Sequence, residues 1–228
     1  VHCLNFVMRQ FEPGCECQLV PICIGPQNRG KSICTQILGI KKEFFGRGKI
    51  DFNNKDSKLI LSGCALYDLD ECASLVGQDY ETMKSFITNP SFKIRRPYET
   101  GVTTVEGSWV LMGNTNVEAL EFLSDPTGSR RFMAFRVGIG GMCRIDELRE
   151  DLKYIYARAM HSYLGIGEYE KPNRKNWFPP EIRARQESYN KQFATTDPWL
   201  PHITAFLRMR YKQWAEEIKR QFGLDGVS

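Results

Sequence analysis

The sequence predicts an α/β fold, a parallel sheet flanked by helices, with a small helical region at its C-terminal end. Three observations lead to this prediction. Short apolar runs suited to buried strands alternate with stretches of helical periodicity. These runs stop at glycines or acidic residues, where a strand would enter a connecting loop. Beyond Gly165, proline-containing segments separate the alternating part from a stretch of helical composition.

Four apolar runs are predicted as strands of the sheet. They are Leu19–Ile24, Leu59–Leu61 continued by Cys64–Tyr67, Trp109–Met112 and Phe132–Val137. Their length and apolar character suit strands that are covered on both faces. Pro21 has no backbone N–H to donate to a neighbouring strand, so we expect the first strand to begin at or after this residue.

Three further segments have the periodicity of helices. The first contains Ile33, Ile37 and Leu38, the second is Asp79–Phe86, and the third covers residues 146–163. In the third segment apolar residues recur at steps of three and four, which places them on one face of an amphipathic helix. Strands and helices therefore alternate along the chain, as in a parallel sheet with helical crossovers.

Composition excludes several classes of protein. The chain has 228 residues, of which 42% are hydrophobic, and it is long enough to bury one sizeable core. It has no run of about 18 apolar residues, and Arg9, Glu12 and Glu16 lie where a signal peptide would be apolar. No membrane association is therefore expected. The net charge of +4 is too small to indicate nucleic-acid binding by itself. Because the sequence begins at Val1 without a methionine, we expect it to be part of a longer protein.

The cysteines favour a reducing, cytoplasmic compartment. The chain has eight cysteines but no C-x-x-C pair, and the closest spacing is that of Cys15 and Cys17. This arrangement supports neither a zinc site nor a disulfide framework. Cysteines within apolar runs, such as Cys23 and Cys64, are expected to act as small hydrophobic residues.

The segment after the first strand matches the phosphate-binding loop pattern G-x-x-x-x-G-K-[ST] at every fixed position. Its glycines allow backbone N–H groups to face phosphates, and the following helix adds its positive end. Lys31 would bind the β- and γ-phosphates, and the Ser32 hydroxyl would be a ligand of Mg²⁺. We therefore predict binding of a nucleotide with Mg²⁺, and the family resemblance given below implies that this nucleotide is ATP. The residues expected to contact the nucleotide are Gly25, Gln27, Asn28, Arg29, Gly30, Lys31, Ser32 and Ile33.

Acidic residues follow the second predicted strand, in the sequence Asp68-Leu69-Asp70-Glu71. A phosphate-binding loop needs a carboxylate on a neighbouring strand to hold Mg²⁺ and to orient the attacking water. Asp68 is best placed for the metal, with Asp70 as a second candidate ligand. Glu71 is predicted to polarise the water, with Asp70 as the competing candidate. Such acids can instead cap the next helix, but their clustering favours the catalytic interpretation.

The third predicted strand ends in the polar segment Gly113-Asn114-Thr115-Asn116. An asparagine at this place can donate a hydrogen bond to the γ-phosphate or orient the attacking water. The alternative is an ordinary Asx turn or a helix cap. The residues alone leave both interpretations open.

Two more segments accompany these motifs, Arg95-Arg96-Pro97-Tyr98 and Thr127-Gly128-Ser129-Arg130-Arg131-Phe132. Over roughly residues 15–138, the chain resembles the virulence-associated protein E family of P-loop ATPases found on phages and mobile elements. All the motifs occur in the family's order. The resemblance implies a P-loop NTPase of the AAA+ type, similar to superfamily 3 helicases. Such chains are commonly the C-terminal part of primase-helicases, so an N-terminal primase domain is expected in the full-length protein.

The resemblance also implies roles for individual residues. Lys31 and Ser32 become the Walker A pair, and Asp68 and Glu71 the acidic strand-end residues. Asn116 becomes the sensor asparagine, whereas Asn114 stands where the family usually has threonine.

An arginine finger is implied by the same resemblance. Arg130 or Arg131 would reach the γ-phosphate of a neighbouring subunit, and the active enzyme would be a ring, expected to be a hexamer. An arginine supplied in this way stabilises the charge that develops on the transferred phosphoryl group.

Basic residues on a predicted hairpin, Lys93, Arg95 and Arg96, are expected to contact the backbone of single-stranded DNA. The favoured function is an ATP-hydrolysing DNA translocase or helicase in replication of a phage or mobile element. The alternative is a P-loop ATPase switch or loader without unwinding activity. A phosphotransferase is disfavoured because no acceptor site can be identified.

Three regions are predicted along the chain. Residues 1–165 form the P-loop ATPase core, and residues 166–180 form a linker marked by Lys171-Pro172 and Pro179-Pro180. Residues 181–228 form a helical region, either a lid over the nucleotide or the start of a winged-helix module.

Overall fold

The computed structural model describes most of the chain. The described residues are 2–72, 77–95, 101–117, 120–125, 129–167, 180–195, 203, 206–211 and 213–214. The chain forms two compact units, residues 1–194 and 195–228. The first contains the sheet, and in the second residues 206–211 are helical. The predicted C-terminal region 181–228 is thus divided between the two units, while residues 168–179 of the predicted linker lie outside the described residues.

The first unit is a mixed α/β structure. Its elements are α1 (His2–Phe11), β1 (Val20–Ile24), α2 (Lys31–Leu38), β2 (Phe45–Gly48), α3 (Lys55–Ser62), β3 (Leu66–Asp70), α4 (Gly77–Thr88), β4 (Ser91–Ile94), β5 (Thr103–Glu106), β6 (Val110–Thr115), β7 (Phe132–Arg136), α5 (Ile145–Leu164) and α6 (Pro180–Asn190). Five parallel strands form one sheet in the order β2-β3-β6-β1-β7, and β4 and β5 form a separate antiparallel hairpin. The predicted α/β fold with a parallel sheet is confirmed.

The sheet is covered on both faces by apolar side chains. One face packs Ile22, Leu69 and Trp109 into a large cluster, in which the rings of Phe86 and Trp109 stack. The other face has a smaller cluster that includes Phe6 of α1. Because both faces are buried, most residues of the central strands are apolar, which is why the runs of β1 and β6 could be recognised in the sequence.

The first strand begins one residue earlier than predicted. β1 pairs with β7 from Val20 onward, whereas its pairing with β6 starts only at Ile22. Pro21 therefore lies before the ladder with β6, and its missing N–H does not interrupt that ladder.

The prediction that Leu59–Leu61 belongs to a strand is wrong, because these residues lie in α3. The helix begins after Asn54, whose side chain accepts a hydrogen bond from the backbone N–H of Asp56 at 2.8 Å. Leu61 is fully buried while Ile60 is 58% exposed, so only one side of the segment faces the core. The strand itself is Leu66–Asp70, and it includes Asp68 and Asp70 instead of ending before them.

Neither α1 nor β2 is predicted from the sequence. The four residues of β2 include Arg47 and two glycines, so the strand lacks an apolar run. A Cβ atom at Gly46 would lie 2.4 Å from the ring of Tyr67, so glycine allows β2 to approach β3 closely. β2 forms an edge of the sheet.

The other edge strand, β7, is covered by α6. The Asn190 side chain donates a hydrogen bond to the carbonyl of Phe132 at 2.7 Å and accepts one from the N–H of Ala134 at 3.1 Å. Gln186 donates to the same Phe132 carbonyl. These side chains take the place of a further strand, because they satisfy backbone groups that an edge strand would otherwise leave unpaired.

We predict that Asn190→Ala lowers the free energy of unfolding by about 2 kcal/mol, because it leaves the buried N–H of Ala134 without its partner. A denaturant titration followed by circular dichroism measures this change. Glu187→Ala is the matched control, since Glu187 is an exposed residue of the same helix. Equal stability of the two variants would show that α6 does not support the edge of the sheet.

Candidate active site

The phosphate-binding loop connects β1 to α2. β1 ends at Ile24, α2 begins at Lys31, and the N–H of Gly25 donates to the carbonyl of Thr115 at 3.2 Å. Because β1 and β6 are parallel, this bond fixes the start of the loop to the carboxyl end of β6. The loop therefore lies at the carboxyl edge of the sheet, where ligands of open α/β sheets bind.

The two glycines of the pattern are required by the conformation of the loop. A Cβ atom at Gly25 would lie 2.2 Å from the carbonyl oxygen of Val137. Gly30 has φ of 87°, in the left-handed region, and precedes the first residue of α2. Asn28 also has positive φ, at 58°, a conformation that asparagine tolerates better than most residues.

The side chain of Lys31 folds back over the loop. Its Nζ atom donates to the carbonyls of Gly25 at 2.7 Å and Pro26 at 2.6 Å. The ammonium group is thus held above the loop backbone. Ser32 follows in the first turn of α2 and is partly exposed. Gln27, Asn28, Arg29 and Ile33 are exposed around them.

Asp68 is a buried carboxylate in β3. Its side chain is fully buried, and its Oδ1 atom accepts a hydrogen bond from Asn114 Nδ2 at 2.7 Å. Its Oδ2 atom makes no hydrogen bond within the described structure, although Arg47 Nε lies 3.5 Å away. Burial raises the pKa of Asp68 to about 6, and the Asn114 hydrogen bond and Arg47 oppose this shift. Because Oδ2 makes no hydrogen bond among the described residues, it is suited to binding a cation.

Asn114 connects three elements at this edge. In addition to Asp68, its Nδ2 atom donates to the hydroxyl of Thr35 in α2 at 2.9 Å. Both Thr35 and Asn114 are buried. Asn116, which was predicted as the sensor, lies just after β6 and is exposed. The sequence pointed to the segment, but only the pairing of β6 with β3 shows that Asn114 contacts the buried acid.

The other two acids of the cluster are paired with basic residues of the β2 region. Arg47 Nη2 lies 2.9 Å from Asp70 Oδ1, and Lys49 Nζ lies 3.0 Å from Glu71 Oε2. Arg47 therefore contacts both Asp68 and Asp70. Neither Arg47 nor Lys49 is predicted from the sequence, because β2 has no recognisable apolar pattern and Lys49 directly follows it.

The donor set fits a magnesium ion that is shared with a nucleotide. Among the described residues no group of three or more His, Cys, Asp and Glu side chains could hold a metal by itself. Mg²⁺ in nucleotide sites is commonly held by one or two protein ligands, with waters and phosphates completing its shell. The Ser32 hydroxyl and the Oδ2 atom of Asp68, which makes no hydrogen bond among the described residues, match this requirement. Asp70 is the weaker candidate, because its carboxylate accepts a hydrogen bond from Arg47 at 2.9 Å, whereas Arg47 only lies within 3.5 Å of Asp68 Oδ2.

Arg130 and Arg131 lie at the amino ends of the strands, whereas the phosphate-binding loop lies at their carboxyl ends. They form a 3₁₀ turn with Ser129 immediately before β7, and Phe132 pairs with Val20 at the start of β1. The phosphate-binding loop begins at the far end of β1, about 16 Å away at roughly 3.3 Å per residue. Arg130 is exposed, whereas Arg131 Nε donates to the Thr88 hydroxyl at 3.1 Å. Neither residue is close to the loop of its own chain.

The predicted hairpin is present as β4 and β5. Lys93 and Arg95 are exposed on it, and Arg96 lies outside the described residues. The hairpin connects α4 to β6, so it is attached to the strand that carries Asn114.

A family comparison matches most of this chain. The model of the virulence-associated protein E-like domain covers residues 2–195. The chain belongs to this family. The matched range includes the phosphate-binding loop, Asp68, Asn114 and the Arg130 turn, so all of these are parts of a VapE-like domain. A comparison with curated proteins gives no match.

Solved structures of the NrS-1 C-terminal region are similar to this VapE-like domain. An A-form apo structure is 17% identical to this chain, with a TM-score of 0.48. The matched region covers 82% of this chain and 46% of the chain in that structure. An apo structure of residues 305–718 has the same identity and coverage, with a TM-score of 0.45. This chain thus spans just under half the length of these structures.

In the part of the chain that the structure describes, no helix is long and apolar enough to cross a membrane.

We predict that Asp68→Asn stabilises the ligand-free VapE-like domain near neutral pH. The pKa of Asp68 is raised to about 6, so the folded state loses stability as the pH rises from about 4 through 6 and the buried carboxyl ionises. Asparagine removes this cost and keeps an oxygen for Asn114. The expected gain in free energy of unfolding is about 2 kcal/mol at pH 7.5 and much less at about pH 4.

Thermal or denaturant unfolding at the two pH values measures this gain. Asp70→Asn is the matched control, because Asp70 lies in the same strand but is partly exposed and paired with Arg47. A loss of stability in Asp68→Asn at neutral pH would mean that the carboxylate is stabilising and that its burial carries no such cost.

Proposed function

We propose that this chain is a Mg²⁺-dependent ATPase that translocates along or unwinds single-stranded DNA during replication of a phage or mobile element. The observation that carries the proposal is the arrangement at the carboxyl edge of the sheet. There the phosphate-binding loop, the buried carboxylate of Asp68 and the amide of Asn114 converge on one place. Membership of the virulence-associated protein E-like family supports it.

The loop would bind the phosphates of ATP. Lys31 now donates to two loop carbonyls, and phosphate oxygens would offer its ammonium group stronger, anionic acceptors. Backbone N–H groups of the loop and the N-terminal end of α2 add further positive potential. The exposed residues Gln27, Asn28 and Arg29 are in position to border the nucleotide.

The buried acid would serve the metal. Ser32 and Asp68 would hold Mg²⁺, which neutralises charge on the phosphates when bound. Asn114 keeps the Asp68 carboxylate oriented, and Arg47 balances its charge until the cation arrives. Glu71 is the candidate for polarising the attacking water. It is exposed and paired with Lys49, so its carboxylate is accessible to solvent.

An arginine finger in this protein would act between copies of the chain. Arg130 lies at the far edge of the sheet from its own loop, and its side chain is exposed. Arg131 is the less suitable candidate, because its guanidinium is bonded to Thr88. A ring of copies, expected to be a hexamer, would bring Arg130 of one copy to the nucleotide of the next.

The hairpin would contact DNA. Lys93 and Arg95 are exposed on the hairpin that leads into β6, and single strands are held largely through their phosphates. Because β6 also carries Asn114, a change at the nucleotide could reach the hairpin through one strand.

We predict that Lys31→Ala reduces steady-state ATP hydrolysis by on the order of 100-fold, because it removes a cation that faces the transferred phosphate. A phosphate-release assay with purified full chain and Mg²⁺ measures this. Lys42→Ala is the matched control, since Lys42 is an exposed lysine outside the loop. Wild-type turnover in Lys31→Ala would contradict the ATPase.

The same assay with single-stranded DNA separates translocase from switch. Stimulation by DNA that weakens as salt rises, and that is lost in Lys93→Ala, supports the translocase. Turnover that depends on Lys31 but ignores DNA favours the switch or loader.

We predict that Arg130→Ala lowers ATP hydrolysis by on the order of 10³-fold and that mixing restores it. Arg130→Ala copies retain the phosphate-binding loop, and Lys31→Ala copies retain Arg130. Mixed rings of the two inactive variants therefore contain some complete sites, which a titration of one variant into the other measures.

Arg131→Ala is the control from the same turn and should lose much less activity. No recovery in mixtures that form mixed oligomers would contradict a finger acting between copies. A large loss in Arg131→Ala alone would assign the finger to Arg131.

A further inference from the structure

The connection between α1 and β1 carries a pair of thiols outside the candidate active site. Cys15 Sγ and Cys17 Sγ lie 3.6 Å apart. Cys17 is buried, whereas Cys15 is partly exposed. The two residues are separated by Glu16 alone, and a modest approach of the sulfur atoms would allow a bond between them.

A buried guanidinium lies beside these thiols. Arg9 is 3% exposed and donates to the carbonyls of Gly107 and Trp109 at 3.3 and 3.2 Å. Within the described part of the chain it makes no ion pair with a carboxylate, and its Nε atom has no hydrogen-bond partner. A buried charge is costly without a counter-charge. A thiolate at this place would supply one.

The surroundings of the two thiols shift their pKa values in opposite directions. The hydrogen bond with Cys17 and the charge of Arg9 lower the pKa of Cys15 to about 7, although burial and the Glu12 carboxylate oppose the shift. The pKa of Cys17 is raised by its hydrogen bond with Cys15 and by burial, and its thiol also donates to the carbonyl of Asn5 at 3.8 Å. At neutral pH Cys15 therefore has thiolate character, and Cys17 remains a protonated thiol at contact distance.

We infer that Cys15 and Cys17 form a peroxide-reactive dithiol site in which Cys15 is the nucleophile and Cys17 the resolving thiol. The Cys15 thiolate attacks hydrogen peroxide, an S–O bond forms, the O–O bond breaks, and hydroxide leaves and takes up a proton to become water. The Cys17 sulfur then attacks the Cys15 sulfenic acid. An S–S bond forms, the S–O bond breaks, and a second water leaves with the Cys17 proton. One peroxide is reduced, and two thiols are oxidised to one disulfide.

The site lies against the segment that connects the hairpin to β6. The N–H of Gly14 donates to the carbonyl of Gly107 at 2.9 Å, and Arg9 binds that carbonyl as well. Oxidation removes the thiolate next to Arg9, so its first structural effect falls on residues 107–109, which follow β5.

Other cysteines of the chain provide internal controls. Cys34 also has a cysteine neighbour, Cys143, but burial raises the pKa of Cys34 to about 11. Burial also raises the pKa of Cys64. The thiols of Cys34 and Cys64 stay protonated at neutral pH and should react slowly with peroxide.

Peptide mapping after peroxide treatment tests the inference. The full chain is exposed to hydrogen peroxide at neutral pH, free thiols are alkylated, and the protein is cleaved after glutamate and analysed by mass spectrometry. Cleavage after Glu16 separates Cys15 from Cys17, so the two peptides stay together only when a disulfide joins them. We expect this linked product to form before any product that contains Cys34 or Cys143.

Two variants separate the roles of the two thiols. In Cys17→Ser, Cys15 should stop at the sulfenic acid, which dimedone traps, and in Cys15→Ser no adduct should form at Cys17. Alkylation of Cys15 by iodoacetamide should be half-maximal near pH 7, well below that of Cys64. Alkylation of Cys15 with an ordinary thiol profile, at about pH 8.5, would overturn the inference. So would a first disulfide between Cys34 and Cys143.

Discussion

The burial of the Asp68 carboxylate is the constraint on which the candidate active site depends. An ion taken out of water needs partners, and Asp68 finds them on different elements: Asn114 on β6 and Arg47 on β2. Asn114 in turn holds Thr35 of α2, the helix that starts at the phosphate-binding loop. One carboxylate therefore fixes the relative positions of three strands and one helix. Among the described residues, Oδ2 of Asp68 has no hydrogen-bond partner, so burial of this carboxylate lowers the stability of the ligand-free protein. An oxygen of this kind is suited to binding a cation.

β2 contributes the guanidinium of Arg47 to this arrangement, and its amino-acid composition suits that role. It is a short edge strand in which glycine permits close approach to Tyr67 and Arg47 faces the acids of β3. A more apolar strand would pack better but would leave Asp68 and Asp70 as neighbouring anions without a counter-charge. The edge position also leaves the Arg47 side chain partly exposed.

The parts that the sequence predicts are those encoded locally. The phosphate-binding loop is eight consecutive residues, and the strands β1, β6 and β7 contain apolar runs, of which those of β1 and β6 are buried. Leu59–Leu61 was misassigned because three apolar residues suit a buried strand and a helix equally well. Which of Asn114 and Asn116 contacts Asp68 depends on where β6 ends and on the register that pairs Asp70 with Asn114. Arg47 and Arg9 act over long sequence separations, so no local pattern reveals them.

Helix α6 fixes the position of the Ser129–Arg131 turn, which lies at the end of the strands opposite to the phosphate-binding loop. Gln186 donates to the carbonyl of Arg130 at 3.3 Å, and Asn190 donates to that of Ser129 at 3.2 Å. Because these side chains also bind β7, α6 fixes the turn relative to the strand next to β1. The loop and the turn therefore lie at opposite ends of two adjacent, hydrogen-bonded strands. In an assembly of copies, the position of the turn in each copy would follow that of its own loop, because these paired strands connect the two.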